Sequence, residues 1–262
     1  MKLSAKRIEK QTKKIKIDCL KNIDSTNTKA ILLAQSGAKE GTAVTAIRQT
    51  AGKGRLGRSF VSEKGGVYFS IVLRPQIKPE ETLFITVAAA VAAARAIEKV
   101  SGKKCDIKWV NDVYINNKKV CGILNEGGFN NGALDYVVLG VGINLFAPKN
   151  GFPSNLPLAD SVFDKKSKIL LKNRIKEQTI AIFCNEFFSL YENLSEKEFI
   201  KEYQQRSFLT GKEITYIKDN IPHKAKVIEI DDNARLVVSC GEVKEKLSHG
   251  EIQIVGMEQL AL

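Results

Sequence analysis

Gln49-Thr50-Ala51-Gly52-Lys53-Gly54-Arg55-Leu56-Gly57-Arg58-Ser59-Phe60 is the stretch on which the reading of this chain turns. Its three glycines permit positive φ and close approach of backbone to a ligand, while Lys53, Arg55 and Arg58 bring three cations to one short loop. That combination suits an anion. The spacing also satisfies G-x-G-x-x-G from Gly52 to Gly57, a pattern that binds dinucleotides only between a strand and a helix N-terminus. A strand is expected upstream at Val44-Thr45-Ala46-Ile47. Downstream, Ser59 to Gly66 lacks a helical apolar period and runs into the strand-like Val67-Tyr68-Phe69-Ser70-Ile71-Val72-Leu73. Strand, glycine-basic loop and strand describe a flexible flap and exclude a Rossmann turn. A Walker loop is excluded as well, because no Gly-Lys is followed by Ser or Thr.

On the N-terminal side, Asp24-Ser25-Thr26-Asn27 supplies good helix N-caps ahead of Thr28 to Gln35, and Gly37 is placed to end that helix. One or two of the four can cap; the others are free to hold the polar part of a ligand. Met1 to Asn22 is lysine-rich and lacks the apolar core of a secretory signal. On the C-terminal side, Pro75 stops the strand, Pro79-Glu80-Glu81 opens a long helix, and Ser101-Gly102 closes it. Two alternating runs then flank Asn116-Asn117, whose tolerance of positive φ predicts a type I′ hairpin turn. Trp109, Asp112 and Lys119 are expected on neighbouring strands of that hairpin. Tyr136 to Leu145 reads as a buried strand whose Gly140 and Gly142 leave room for something to lie against it.

Irregular sequence with Pro148, Pro153 and Pro157 precedes a helix expected near Ile169. There Lys165, Lys166, Lys168, Lys172, Arg174 and Lys176 read as a solvated helix face. From about Phe208 short alternating strands with polar turns predict a small β-barrel, with residues 1–206 and 207–262 as the two domains.

Composition narrows the chemistry. The 262 residues suffice for a full core, and the five cysteines are scattered without a Cys-x-x-Cys pair, which argues against zinc or disulfide frameworks and for a reducing, cytoplasmic setting. With only His223 and His249, histidine-based catalysis has little material. Phe84 to Ile97 is apolar but carries Arg95 and falls short of the roughly 20 residues that span a bilayer. No membrane role is expected. A net charge of +12 favours acidic partners.

The ordered series Ser25-Thr26-Asn27, Gln49-x-x-Gly-x-Gly-Arg-x-Gly-Arg58, Lys108-Trp109-x-Asn111-Asp112, Lys119-x-x-Gly122-Ile123-Leu124-x-Glu126 and Gly140-x-Gly142-x-Asn144 resembles that of biotin–protein ligases. The resemblance covers Asp24 to about Leu145 and is weaker in the C-terminal barrel. It implies an α+β fold, class II synthetase-like, with a mixed, largely antiparallel central sheet flanked by helices and an SH3-like C-terminal barrel. The implied reaction joins biotin and ATP into biotinyl-5′-AMP, with Mg2+ inferred from the nucleotide, and then biotinylates a lysine of an acidic biotin carboxyl carrier domain. Lys119, Arg55 and Asp112 would be catalytic. Ser25, Thr26, Asn27, Gln49, Lys53, Gly54, Arg55, Lys119 and Gly122 would hold biotin. Gly52, Lys53, Gly54, Arg55, Gly57, Arg58, Phe60, Lys119 and Asn144 would hold ATP or the adenylate, with loop amides forming an anion nest.

Three departures stand out. Lys53 replaces the usual arginine, Val110 the usual proline and Phe60 the frequent tryptophan, which implies a point charge for a bidentate contact, a freed amide and a smaller stacking face. With 23 residues ahead of Asp24, a monofunctional ligase without DNA binding is expected. A monomer and a homodimer both fit. The rival activity is a lipoate or octanoate ligase, which lacks this glycine-arginine flap series. The rival from another class is a non-catalytic nucleic-acid binder, which should interleave aromatics with its basic segments; this chain does not.

Overall fold

A computed structural model describes residues 3–164, 171–218, 221–250 and 252–256. The chain opens with α1 (Ala5–Gln11), whose Ile8 is buried, and β1 (Lys16–Ile23), whose Ile17 and Cys19 face inward. β1 pairs in parallel with β2 (Thr42–Gln49). Between them lies α2 (Thr26–Gln35), capped by Ser25, whose hydroxyl accepts from the Thr28 amide, and followed by Gly37 at φ +83°. Of the four expected capping residues Ser25 takes the cap, so Thr26 and Asn27 lie inside the first turn. The flap follows, then β3 (Val67–Leu73), buried along its whole length.

After a 3₁₀ turn at Pro79–Glu81 comes α3 (Thr82–Ser101), ended by Gly102 at φ +70°. Ala88 to Ala94 are fully buried on α3, because small side chains let a helix lie close on both its neighbours. Next are β4 (Asp106–Lys108), β5 (Asp112–Ile115), β6 (Lys118–Asn130) and β7 (Ala133–Ile143). Asn116 and Asn117 sit at φ +49° and +60°, as the expected type I′ turn requires. Then α4 (Lys172–Tyr191) and α5 (Phe199–Arg206) pack on α3. Arg95 of α3 meets Glu186 of α4 and Glu202 of α5, while Arg206 bonds Glu98, joining the three helices by charge as well as by apolar contact. Despite burial, the guanidinium partners hold the carboxyls of Glu98 and Glu202 below their ordinary range, and at Glu186 the Lys99 ammonium and Arg95 do so together.

The first sheet has seven strands in the order β1-β2-β3-β7-β6-β5-β4, antiparallel except for β1 and β2. This is the mixed, largely antiparallel sheet flanked by helices. Its two faces differ. Phe69, Ile71, Leu73, Val137, Leu139, Val141 and Ile143 enter the large core with α3 and α4, whereas Val72, Tyr136 and Val138 meet Ala30 and Ala34 of α2. Fully burying each such large aliphatic or aromatic side chain is worth about 1.5–3 kcal/mol before entropy is set against it. The face toward α2 is covered only in part.

The last strands are β8 (Glu213–Lys218), β9 (Ile221–Ile230), β10 (Leu236–Cys240), β11 (Val243–Leu247) and β12 (Ile252–Ile254). They pair antiparallel in the order β11-β10-β9-β8-β12, a five-stranded sheet where the small C-terminal barrel was expected. Its Ile214, Tyr216, Val227, Leu236 and Ile252 share the large core with α3.

Three expectations change. Residues read only as a lysine-rich leader contain α1 and β1, whose two-residue alternation at Ile15, Ile17 and Cys19 is diluted by lysines. Trp109 lies in the turn between β4 and β5 rather than on a strand. The basic helix face holds only in part. Lys165, Lys166 and Lys168 fall outside the described residues; Lys176 is 4% exposed and donates to the Lys64 carbonyl. Burial, aided by Lys172, pushes its ammonium down to about 8. No disulfide joins the cysteines among the described residues, and no helix there is long and apolar enough to cross a membrane.

Candidate active site

The partly covered face of the first sheet carries a glycine floor. Gly140 and Gly142 of β7 pair with Leu124 and Gly122 of β6, and all four point to the side of α2. A Cβ on Gly140 would lie 2.0 Å from Asn27 Oδ1, and one on Gly142 would lie 2.6 Å from the Phe60 ring. Gly122 is nearly as tight, with the same ring at 3.1 Å and Lys119 Cε at 3.4 Å. The room that the glycines leave is therefore filled by Asn27 and Phe60, which lie on the floor.

Above the floor runs a chain of hydrogen bonds. The Thr26 amide and hydroxyl both donate to Gln49 Oε1, at 2.7 and 2.9 Å, and Gln49 Nε2 donates to Ser62 Oγ at 2.8 Å. Ser70 Oγ lies 2.6 Å from Asn27 Oδ1, and Asn27 Nδ2 donates to Glu126 at 2.8 Å. Ser25, Thr26 and Asn27 are each at most 5% exposed. Short polar side chains at a helix start reach the backbone and neighbouring strands with little entropy lost, so the network is preformed.

The flap closes on itself. Gly54 N–H donates to the Arg58 carbonyl at 2.7 Å, Phe60 N–H to Gly52 at 2.8 Å and Arg58 N–H to Arg55 at 3.1 Å. Of the amides expected to form an anion nest from Gly52 to Gly57, that of Gly54 is satisfied inside the loop, and Arg55–Gly57 makes a 3₁₀ turn. Gly57, at φ +75°, and Gly52, where a Cβ would lie 2.5 Å from the Phe60 carbonyl oxygen, shape the loop but do not line the cavity. At the tip Leu56 is 73% exposed. Two long side chains link the flap to the sheet: Arg55 Nη1 donates to Asn111 Oδ1 at 3.2 Å, and Lys53 Nζ to Glu126 Oε1 at 3.1 Å.

The hairpin opposite is held by its backbone. Lys119 N–H donates to the Leu158 carbonyl at 2.7 Å, and its own carbonyl accepts from Asp160 at 3.0 Å. Its Nζ lies 2.7 Å from Asp112 Oδ1, an ion pair across β5 and β6. The turn before Asp112 is pinned from outside the sheet: Trp109 Nε1 donates to the Ala234 carbonyl at 2.9 Å and Tyr203 OH to the Val110 carbonyl at 3.0 Å. Val110, in the place of the usual proline, is 3% exposed and built into the core. The nearby thiol of Cys121 is driven far up by burial, so it supplies no thiolate nucleophile.

These elements enclose a cavity of about 430 Å³. Ser25, Thr26, Asn27, Gln49, Lys53, Gly54, Arg55, Arg58, Phe60, Asp112, Lys119, Gly122 and Asn144 all line it; of the expected residues Gly52 and Gly57 do not. Sequence reasoning missed Phe152, Asn155 and Leu156 to Ala159, taken as irregular chain, and Gly250, Ile252 and Gln253 beside and on β12. The prolines at 153 and 157 were the available signal for a shaped loop. The second sheet gave none, since its contact with the cavity depends on how it packs.

A cavity joining a preformed amide-hydroxyl network to several cations is the setting in which the match to a family model gains meaning. Residues 19–144 match the biotin/lipoate A/B protein ligase family. Residues 19–144 thus carry a domain of that family. Among family members, the bifunctional ligase/repressor of Bacillus subtilis is 44% identical over 135 residues. That stretch is 51% of this chain and 42% of the relative, so the chain spans less than half of that relative's length. The biotin–[acetyl-CoA-carboxylase] ligase of Mycobacterium tuberculosis is 27% identical over 90% of this chain and 88% of its own. Among solved structures, the biotin protein ligase of Aquifex aeolicus in complex with biotin and ATP superposes with a TM-score of 0.72 at 26% identity, covering 90% of this chain and 96% of that one. The family's architecture thus extends beyond the matched segment into the C-terminal sheet.

Proposed function

We propose that this chain is a biotin–protein ligase that forms biotinyl-5′-AMP from biotin and ATP and transfers the biotinyl group to a lysine of an acidic carrier domain. The observation that carries the reading is one cavity shared by Lys53, Arg55, Arg58, Lys119 and Asp112 and by the Thr26–Gln49 and Asn27–Ser70 bonds. In the first step biotin's carboxylate attacks the α-phosphate and pyrophosphate leaves. In the second, the carrier lysine's ε-amine attacks the acyl carbon, forms an amide and expels AMP. Neither step needs a protein nucleophile. Catalysis would rest on positioning and on cations directed at phosphate oxygens in a sheltered site.

Lys119, on the rigid hairpin, would stabilise charge at the α-phosphate in both steps, and Arg55 and Arg58 would close on the adenylate from the flap. Asp112, already beside Lys119, would orient the incoming lysine. Ser25, Thr26, Asn27 and Gln49 would present the polar rim for biotin, and buried Asn144 would lie toward the adenine. Among the described residues Asp112 is the single carboxylate lining the cavity, and there is no group of three metal-ligating side chains among them. Magnesium is inferred from the chemistry of the nucleotide, with which it would enter as the ATP complex. Residues 1–206 are proposed as the catalytic domain and 207–262 as a module that completes the cavity wall. The cytoplasm is the compartment that fits an ATP-dependent enzyme acting on a carboxylase.

Pyrophosphate release from ATP, with biotin, lipoate or octanoate as the acid, tests the proposal. Biotin should support release at least tenfold faster than either alternative. Equal or greater release with lipoate or octanoate would make the chain the other kind of ligase, and none with any acid would remove the enzymatic reading.

A further inference from the structure

Glu126 closes the Lys119 motif, yet the resemblance attaches no role to it. On β6 it pairs with Val138 of β7 and shares the face of Gly122 and Leu124. Its two oxygens serve different walls of the cavity. Oε2 accepts from Asn27 Nδ2 at 2.8 Å, in the first turn of α2, and Oε1 accepts from Lys53 Nζ at 3.1 Å, in the flap. The Asn27 side is fixed: that residue is 5% exposed, lies on Gly140 and meets Ser70 through its other atom. The Lys53 side is movable, since the lysine is 40% exposed on a loop joined to the sheet by long side chains.

We propose that Glu126 is a positioning residue for the flap, tethering Lys53 to the fixed Asn27 wall until a phosphate-bearing ligand competes for the lysine. The tether itself follows from these contacts; only the identity of the competing anion rests on the acyl-adenylate reading above. A partly exposed ion pair is weak enough to be exchanged, and a phosphate offers more charge and more acceptor oxygens than one carboxylate. Lysine suits such an exchange, because a single point charge can change partner without giving up a bidentate contact.

Amide hydrogen exchange of Gly54 and Phe60, the flap N–H groups bonded within the loop, measures this on the full chain. Without ligand, Glu126→Gln and Lys53→Met should each speed exchange about two- to fivefold, the range expected for losing a partly exposed ion pair. The double variant should be no faster than either single one, and Lys53→Arg, which can still reach the carboxylate, should stay near wild type. A non-hydrolysable biotinyl-adenylate analogue should then slow exchange to one common value in wild type and Glu126→Gln. Wild-type exchange in Glu126→Gln beside faster exchange in Lys53→Met would overturn the tether, as would additive effects in the double variant. If the ligand-free pattern holds while the analogue protects no variant, the tether stands and the acyl-adenylate reading fails.

Discussion

The flap and the hairpin both deliver cations to one cavity, but they hold them in opposite ways. Lys119 is fixed by backbone hydrogen bonds on both sides, to Leu158 and Asp160, and its strand is hydrogen-bonded into a seven-stranded sheet. The flap satisfies its Gly54, Arg58 and Phe60 amides internally, and beyond its base, where Thr50 and Ala51 donate to the Ile23 and Asp24 carbonyls, it reaches the sheet through Lys53 and Arg55, so the position of its tip depends on side-chain contacts that a ligand can outcompete. A charge that must meet a reacting phosphate in two successive steps belongs on the rigid element, where no reorganisation is needed at the moment of reaction. A charge that must admit a substrate and then cover an intermediate belongs on the movable one.

The hardest test of this contrast is Lys119→Ala. Removing one preorganised donor typically costs about 10²–10³ in rate, and adenylate formation followed by pyrophosphate release should fall by that factor. Near-normal release would take Lys119 out of the mechanism and leave the flap as the seat of catalysis.

The flap is movable at its tip but anchored at its outgoing end, where Lys176 Nζ donates to the Lys64 carbonyl. Below pH 8 this lysine is protonated whether the chain is folded or unfolded, and the cost of burying its charge is present in full. Between about pH 8 and the ordinary 10.5 only the folded form has lost the proton, so stability rises with pH across that window. Against Lys176→Met, which cancels the other titrating groups, the wild type should gain about 3 kcal/mol in urea unfolding over this window. A flat difference would mean that the anchor is solvated and that the whole flap moves as one piece.

Arg55→Gly sharpens the contrast from the other side. It removes the flap's bond to Asn111 and the cation proposed to retain the adenylate, while the hairpin is untouched. Adenylate formation should fall less than tenfold, while escape of the intermediate, read as biotin label on lysines of a bystander protein, should rise by about tenfold, a loss of roughly 1.4 kcal/mol in retention. Unchanged retention would assign the covering role to another element.

Much of this division was legible in the residues. Asn116-Asn117 announced the hairpin because few other residues accept two successive positive φ values, and the segment after Phe60 marked a flap by failing to be a helix. The glycine floor was visible as glycine in a strand, but not that Asn27 and Phe60 would fill it, since that depends on α2 and the flap crossing the same face of β7. The missed β1 shows the limit of pattern at a sheet edge, where half the positions face solvent and lysines hide the alternation. The cavity wall at Gly250, Ile252 and Gln253 belongs to tertiary packing and leaves no local trace.

The smallest expected effect concerns that packing. Trp109 is the chain's single tryptophan, 3% exposed, and its indole N–H donates to Ala234 in the turn between β9 and β10. The bond ties the second sheet to the turn that presents Asn111 and Asp112, so hairpin rigidity is partly supplied by the C-terminal module. Trp109→Phe keeps an aromatic body but leaves the Ala234 carbonyl without its donor, which should cost about 1–3 kcal/mol in chemical denaturation. A 1 Å misplacement in an active site can cost as much as about 10²-fold, but Tyr203 still holds the turn at Val110, so a drop in amide transfer of only about threefold is expected. The transfer step should suffer more than adenylation, because Asp112 is proposed for the incoming lysine. Equal loss in both steps would show that the C-terminal module supports the cavity as a whole rather than the turn it touches.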